Sequence, residues 1–158
     1  MTRIYVDADG CSVKEEVYRV ARRHQIPVTL VANTIMRMPR EELIDLDLVG
    51  DGLNAADDRI VERAEEGDVV ITADIPLAAR ALAKGALVLD MRGGRFTEER
   101  IGSALATREL LSHLRDTGVV SGGPAPFDAR ARSRFLQRLD ETLHAALRMK
   151  KRRSDAGA

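Results

Sequence analysis

Hydrophobic and polar positions follow two alternating periods along this chain, and together they predict strands and helices in turn. Short apolar runs bounded by polar residues or glycine, such as Val28–Ala32, are typical of buried strands. Apolar residues spaced three or four apart, as in residues 13–21, are typical of a helix with one buried face. The alternation predicts an α/β protein, a three-layer α/β/α sandwich with a mostly parallel five-stranded sheet.

The boundaries of these elements follow from turn and capping residues. Predicted strands cover residues 3–6, 28–32, 46–49, 69–73 and 86–89. Predicted helices cover residues 12–24, 39–44, 57–66, 74–84, 97–115 and a last segment from 128 into the basic run 150–153. Ser12 and Glu15 have the spacing of a capping box, and Asp74 and Asp128 are expected to cap the helices that follow them. The stretch 121–126 predicts a turn or short linker.

The chain length favours a single domain. The 158 residues are typical of one domain of ordinary size. We predict one domain at 1–150, including the C-terminal helix, and a basic, polar, disordered tail at 151–158. The apolar stripe of the last helix, at 135–147, is expected to pack on the sheet, with a dimer interface as the alternative. The protein is therefore expected to be a monomer or a homodimer.

Charge and composition remove several classes of function. The 25 basic and 25 acidic residues cancel, so no global attraction to nucleic acid or to an anionic membrane is predicted. Cys11 is the single cysteine, which excludes an intrachain disulfide and a thiolate zinc site. His24, His113 and His144 lie on separate predicted helices without paired spacing, so no histidine-rich metal site is predicted. No apolar run approaches the ~18 residues of a membrane span, and we expect a cytoplasmic protein.

Two predicted strands end in acidic residues. Asp7 and Asp9 follow the first strand, and Asp74 follows the fourth. Because parallel strands end at one edge of a sheet, where ligands bind, these carboxylates are expected to converge. Asp57 and Asp58 open the helix that leads to the fourth strand and are expected near the same edge. A cluster of carboxylates favours Mg²⁺ or Mn²⁺, although each Asp taken alone is also a good helix cap.

Three further residues are candidates for substrate binding at this edge. Thr72 lies two residues before Asp74 and is placed to bind a phosphate or orient a water. Asn33 ends the second strand, and Arg92 precedes two glycines after the fifth. Each has an ordinary structural alternative: a strand former, a turn former and a solvated loop residue, respectively.

Several motifs together resemble a known family. They are Val6-Asp7-Ala8-Asp9, Val31-Ala32-Asn33, Ala56-Asp57, the block 67–78, and Gly122-Gly123-Pro124. These segments span nearly the whole chain and resemble the YaiI/YqxD family of uncharacterised bacterial proteins. That family is similar to a branch of the PIN and NYN nuclease-like superfamily, in which a parallel sheet gathers acidic residues around Mg²⁺ or Mn²⁺.

The resemblance implies roles for particular residues. Asp7 matches the first strand-end acid, Asp57 the acid that opens the helix before the fourth strand, and Asp74 the acid that ends that strand. The superfamily also has an acid on a middle helix. Three residues are candidates for that position: Glu41, Glu42 and Asp51.

Three functions are compatible with these features. The first is a metal-dependent nuclease acting on RNA, in which Asp7, Asp9, Asp57 and Asp74 hold Mg²⁺ or Mn²⁺. The second is a phosphatase of the haloacid-dehalogenase type, in which Asp7 attacks phosphate and Asp9 serves as acid and base. The third is a noncatalytic RNA- or protein-binding module, which would bind through arginine and phosphate because aromatic residues make up only 3% of the chain.

Overall fold

The computed structural model describes residues 1–116 and 127–156, with backbone alone at 108–116. Strands and helices alternate along most of this length. In chain order they are β1 (Ile4–Asp7), a 3₁₀ turn (Ala8–Gly10), α1 (Lys14–His24), β2 (Val28–Ala32), β3 (Ile44–Leu48), α2 (Ala55–Arg63), β4 (Val69–Ile71), α3 (Ile75–Ala83), β5 (Leu87–Leu89), α4 (Glu98–Asp116) and α5 (Ala129–Ala156).

The five strands form one parallel sheet in the order β3-β2-β1-β4-β5. In register, Ile4 lies opposite Val28 on β2 and opposite Val69 on β4. Parallel strands need crossover connections, and each connection between neighbouring strands other than β2 to β3 contains a helix. The predicted α/β fold with a parallel five-stranded sheet is confirmed.

Helices cover both faces of the sheet and make three layers. On one face, Ile4 and Val6 are fully buried against α1 and α5. On the other face, Tyr5 and Val70 pack against α2, α3 and the start of α4. Because successive side chains of a strand point to opposite faces, one short apolar strand supplies both cores.

Helix α5 covers the sheet through the apolar stripe that its sequence predicts. Four side chains of this stripe are fully buried: Phe135, Leu139, Leu143 and Ala146. The helix continues to Ala156, so residues 151–156 are helical, and the disordered tail expected there was wrong for these residues. Lys150 anchors this end, since its Nζ lies 3.4 Å from the buried carboxylate of Asp68.

Two local predictions were wrong at the starts of elements. The capping box does not form, because α1 begins at Lys14 without a side-chain cap, and the Ser12 hydroxyl lies 3.8 Å from the Met91 sulfur instead. Residues 39–44 are not helical. Val28 donates its N–H to the carbonyl of Leu43 at 2.8 Å, so pairing with β2 draws this segment into the start of β3.

Other helix starts agree with the capping residues. Asp74 and Asp128 each accept a backbone N–H three residues later, at 2.8 and 2.9 Å. Helix α2 instead begins at Ala55, two residues before Asp57, which places Asp57 in its first turn. Two features of the sequence cannot be compared with the structure: the predicted linker 121–126 and the side chain of His113 lie outside the described residues. No helix in the described ranges is long and apolar enough to cross a membrane.

Candidate active site at the carboxyl edge of the sheet

The strand order determines where the candidate site lies. From β1 the chain moves outward to β2 and β3, then returns to the opposite side of β1 with β4 and β5. The carboxyl ends of β1 and β4 therefore flank a topological switch point, where open α/β sheets bind their ligands. Asp7 ends β1 and Asp74 follows β4, and both line an open cavity of about 440 Å³. Four other residues complete its lining: Gly10, Ala73, Ile75 and Met91.

Thr72 connects these two acids. Its hydroxyl, fully buried, donates to Asp7 Oδ2 at 2.9 Å and accepts the backbone N–H of Asp74 at 3.0 Å. Asp74 in turn caps α3 by accepting the N–H of Leu77 through Oδ1. A buried hydroxyl that both donates and accepts has a fixed rotamer. Thr72 therefore orients the Asp7 carboxylate at this edge of the sheet.

Burial and mutual repulsion raise the pKa of two of the acids. Burial is the main reason that the pKa of Asp57 rises to about 6, and the negative charges of Asp74 and Asp7 raise it further. Arg80 opposes this effect. Burial also raises the pKa of Asp7, with added repulsion from Asp74 and Asp9, while the Thr72 hydrogen bond lowers it. Asp7, Asp57 and Asp74 are thus electrostatically coupled around one edge of the sheet.

Asp9 and Asn33 have a structural arrangement next to this cluster. Asp9 Oδ2 accepts the backbone N–H of Asn33 at 2.7 Å, and Oδ1 accepts the Thr34 hydroxyl at 3.0 Å. The Asn33 side chain donates to the carbonyl of Gly50 at 2.7 Å. Both Asp9 oxygens thus hold the loop after β2. These contacts disfavour the phosphatase alternative, which requires Asp9 to carry a proton to and from substrate.

Arg92 lies on the loop that follows β5. Asp90 shapes this loop, because its Oδ1 accepts the backbone N–H groups of Arg92 and Gly94, each at 2.8 Å. Its Oδ2 accepts from the guanidinium of Arg100. Gly93 has a φ of +89°, a conformation that glycine adopts without strain. The loop places Arg92 against the cavity described next.

Two cavities continue from the acidic edge along this loop. The first, of about 420 Å³, shares Ala73, Ile75 and Met91 with the acidic cavity and is also lined by Arg92 and Arg100. The second, of about 410 Å³, is lined mainly by arginines: Arg92, Arg95, Arg134 and Arg138, together with Asp90, Gly93 and Gly94. The acids at the switch point are therefore followed by a concentration of arginines that begins 18 residues after Asp74 in the sequence.

The three candidates for a further acid separate clearly in space. Glu41 lies before β3, at the amino ends of the parallel strands, where it binds the guanidinium of Arg22 at 2.6 Å. Glu42 is the next residue, in the same exposed turn region. Neither reaches the acidic edge. Asp51 lies in the exposed turn after β3, on the side of the sheet where the other acids lie.

Comparison with known proteins identifies the family. Residues 5–145 match the family described as "Uncharacterized BCR, YaiI/YqxD family". The chain belongs to the YaiI/YqxD family. This confirms the resemblance seen in its motifs.

Relatives in this family match over almost their full length. A UPF0178 protein of Bradyrhizobium diazoefficiens is 53% identical over 99% of this chain and 92% of its own length. A UPF0178 protein of Rhodopseudomonas palustris strain TIE-1 is 53% identical over 94% of both chains. One of Paramagnetospirillum magneticum is 50% identical over 94% of this chain and 99% of its own. No solved structure matches this chain.

Sequence reasoning about this YaiI/YqxD protein missed two parts of the site. Asp90 follows β5 as Asp7 ends β1, so the same strand-end rule would have found it. Arg134 and Arg138 lie on α5, four residues apart and therefore on one helical face. Their partner loop is 40 residues away in sequence, and only the packing of α5 on the sheet brings the two together.

Proposed function

We propose that this protein is a divalent-metal-dependent nuclease that hydrolyses phosphodiester bonds in RNA at the carboxyl edge of its sheet. One observation carries the proposal: Asp7, Asp57 and Asp74 lie near one another at the topological switch point, where burial, with added repulsion between them, raises the pKa of Asp7 and Asp57. The resemblance to PIN and NYN nucleases supports the same reaction.

The carboxylates fit a hard divalent cation. Mg²⁺ and Mn²⁺ bind oxygen ligands, and three coupled acids offer oxygen atoms only. The repulsion that raises the pKa of Asp57 is the kind of energy that a bound cation would relieve. Asp7, Asp57 and Asp74 would hold the ion, which when bound would activate a water and neutralise the leaving oxygen.

The residues of the chain supply the positioning. Thr72 fixes Asp7 through a hydrogen bond of 2.9 Å. The helix cap occupies Oδ1 of Asp74, so Oδ2 is the atom available to a cation. Asp9 keeps the loop after β2 in place and shapes the rim of the site. Such an arrangement holds the acids before any substrate binds, which limits the reorganisation needed in the reaction.

The arginine-lined cavities support a polyanionic substrate. Arg92, Arg95, Arg134 and Arg138 surround one cavity, and a neighbouring cavity of about 440 Å³ adds Arg130. Arginine pairs well with phosphate because its planar guanidinium can donate two parallel hydrogen bonds. With few aromatic side chains available for base stacking, the backbone phosphates are the part of RNA that this surface recognises.

The test is cleavage of RNA in the presence of Mn²⁺ or Mg²⁺. Single-stranded and structured RNAs, with DNA of the same sequence, are incubated with wild type, Asp7→Asn and Asp58→Asn. Asp58 is the matched control, because it neighbours Asp57 but is exposed and bound to Arg80 at 2.8 Å. We expect Mn²⁺-dependent RNA cleavage that Asp7→Asn abolishes and Asp58→Asn retains.

A calorimetric titration of Mn²⁺ separates catalysis from binding. We expect Asp7→Asn to weaken Mn²⁺ binding and Asp58→Asn to leave it unchanged. Absence of cleavage on every RNA, together with equal Mn²⁺ affinity in wild type and Asp7→Asn, would refute the nuclease. Salt-dependent RNA binding in that case would favour the noncatalytic module.

A further inference from the structure

A second group of potential metal ligands lies away from the acidic edge, between α1 and α5. His24 is the last residue of α1, while Asp140 and His144 lie one turn apart on α5. One nitrogen or oxygen atom from each lies within 4.8 Å of those from the other two. His24 Nε2 is 2.6 Å from Asp140 Oδ1, and His144 Nε2 is 3.5 Å from Asp140 Oδ2. His24 and His144, which have no paired spacing in the sequence, are thus brought together around one carboxylate.

The parallel packing of the two helices creates this group. Arg132 on α5 binds Glu16 on α1 at 3.0 Å, and Asp140 binds His24 two turns further along. Both pairs are separated by 116 residues, so the helices run side by side in a constant register. Asp140 and His144 share one helical face because residues four apart are neighbours on a helix. The sequence shows only that last spacing and not the partner from α1.

The three side chains of this group differ in exposure, since His24 and Asp140 are mostly buried and His144 is exposed. The side chains of His24 and Asp140 are 15% and 29% exposed, whereas His144 is 54% exposed. The two imidazole rings are 5.0 Å apart and nearly perpendicular. Arg23 is the competing group, with Nη1 3.7 Å from Asp140 Oδ1, but its side chain is 58% exposed and can turn toward solvent.

We propose that His24, Asp140 and His144 form a Zn²⁺ site that joins the end of α1 to α5. Two imidazoles and one carboxylate suit Zn²⁺, in contrast to the all-oxygen acidic edge. In a tetrahedral site with bonds of about 2.0–2.1 Å, ligand atoms are about 3.3 Å apart. The 3.5 Å from His144 Nε2 to Asp140 Oδ2 is close to this value. The 2.6 Å from His24 Nε2 is to the other oxygen, Oδ1, so the Asp140 carboxylate would turn to present one oxygen to Zn²⁺ as the ion replaces the hydrogen bond. Three protein ligands leave one position for water.

The test is a calorimetric titration of ZnCl₂ into the full chain at pH 7.5. Asp7→Asn/Asp74→Asn is the background, so that Zn²⁺ bound at the acidic edge does not contribute. We expect one Zn²⁺ per chain, with affinity reduced at least about 10-fold by His144→Ala. The matched control is Glu141→Gln, which removes a carboxylate from the neighbouring, 54% exposed position of α5 and should leave affinity unchanged.

Thermal unfolding with and without Zn²⁺ distinguishes an effect of the substitution on folding from an effect on metal binding. His144 is more than half exposed, so His144→Ala should fold and melt at the wild-type temperature without metal. Zn²⁺ should raise the Tm of wild type and of Glu141→Gln, and not that of His144→Ala. No Zn²⁺ binding in the double-Asn background, or equal Zn²⁺ affinity in His144→Ala and Glu141→Gln, would overturn the site. Neither result depends on the nuclease proposal.

Discussion

Replacing Asp57 by asparagine should stabilise the metal-free protein at neutral pH. The pKa of Asp57 is raised from 3.8 to about 6, because the folded state buries this carboxylate and places it near Asp74 and Asp7. The folded state therefore holds the proton more tightly than the unfolded state. The ionised Asp57 carboxylate therefore destabilises the folded state. This destabilisation is absent below pH 4, grows as pH rises from 4 to 6, and is fully present above pH 6.

The magnitude follows from the size of the shift. About two pKa units correspond to about 3 kcal/mol at neutral pH if nothing screens the repulsion. Asp57 is half-buried, and water screens part of this interaction, so we expect Asp57→Asn to gain about 1 kcal/mol above pH 6.5. That gain corresponds to a Tm about 3 °C higher for a chain of this length. At pH 4 the two proteins should have nearly the same stability.

The assay is urea unfolding, followed by circular dichroism in EDTA at several pH values between 4 and 8. The matched control is Glu62→Gln, an exposed acid on the same helix, whose free energy of unfolding should change by less than about 0.5 kcal/mol. A variant that is less stable than wild type at pH 7.5, or that gains equally at pH 4 and pH 7.5, would show that burying the ionised Asp57 carboxylate beside Asp74 and Asp7 does not destabilise the fold.

Three further changes test how the site and the core are held. Thr72→Val should cost about 1–3 kcal/mol in urea unfolding, because Asp7 loses a buried donor, whereas Thr72→Ser should restore most of it. Gly93→Ala should destabilise by about 1–3 kcal/mol, since φ is +89° and a Cβ would lie 2.9 Å from Cγ of Arg138; an unchanged Tm would contradict this conformation. Phe135→Ala should cost about 3–5 kcal/mol, and a loss below 1 kcal/mol would mean that α5 does not cover the sheet.

The order of strands and helices could be predicted because each element carries its own local pattern. Apolar runs marked four of the strands, while β3, which alternates apolar and acidic residues, begins two residues before the predicted segment 46–49. Asp74 and Asp128 marked helix starts through short-range capping contacts. The predictions were wrong where contacts with residues distant in the sequence determine the local structure. Residues 39–44 have a helical pattern after Pro39, but pairing of β3 with β2 and the bond from Val28 to Leu43 draw the end of this segment into a strand.

The candidate site shows the same division between local and distant information. Strand ends predicted that Asp7 and Asp74 lie together, since parallel strands end at one edge. Which oxygen atom faces which neighbour could not be predicted. The Asp-x-Asp spacing of Asp7 and Asp9 predicted that both carboxylates face one metal site. The Asp9 carboxylate instead binds the backbone of Asn33 and the hydroxyl of Thr34, which lie 24 and 25 residues later in the sequence.

The two proposed metal sites lie at opposite ends of α1 and differ in their donor atoms. Lys14 begins this helix beside the 3₁₀ turn that follows Asp7, and its Nζ donates to the carbonyl of Ala8 at 3.2 Å. His24 ends the helix 10 residues later, about 15 Å away at the rise of an α-helix. At that separation the two groups cannot share one ion. Because hard and borderline cations prefer different donors, Asp7→Asn should weaken Mn²⁺ binding and spare the proposed Zn²⁺ site, and His144→Ala should do the reverse. Loss of both metals in either variant would indicate altered folding rather than two independent sites.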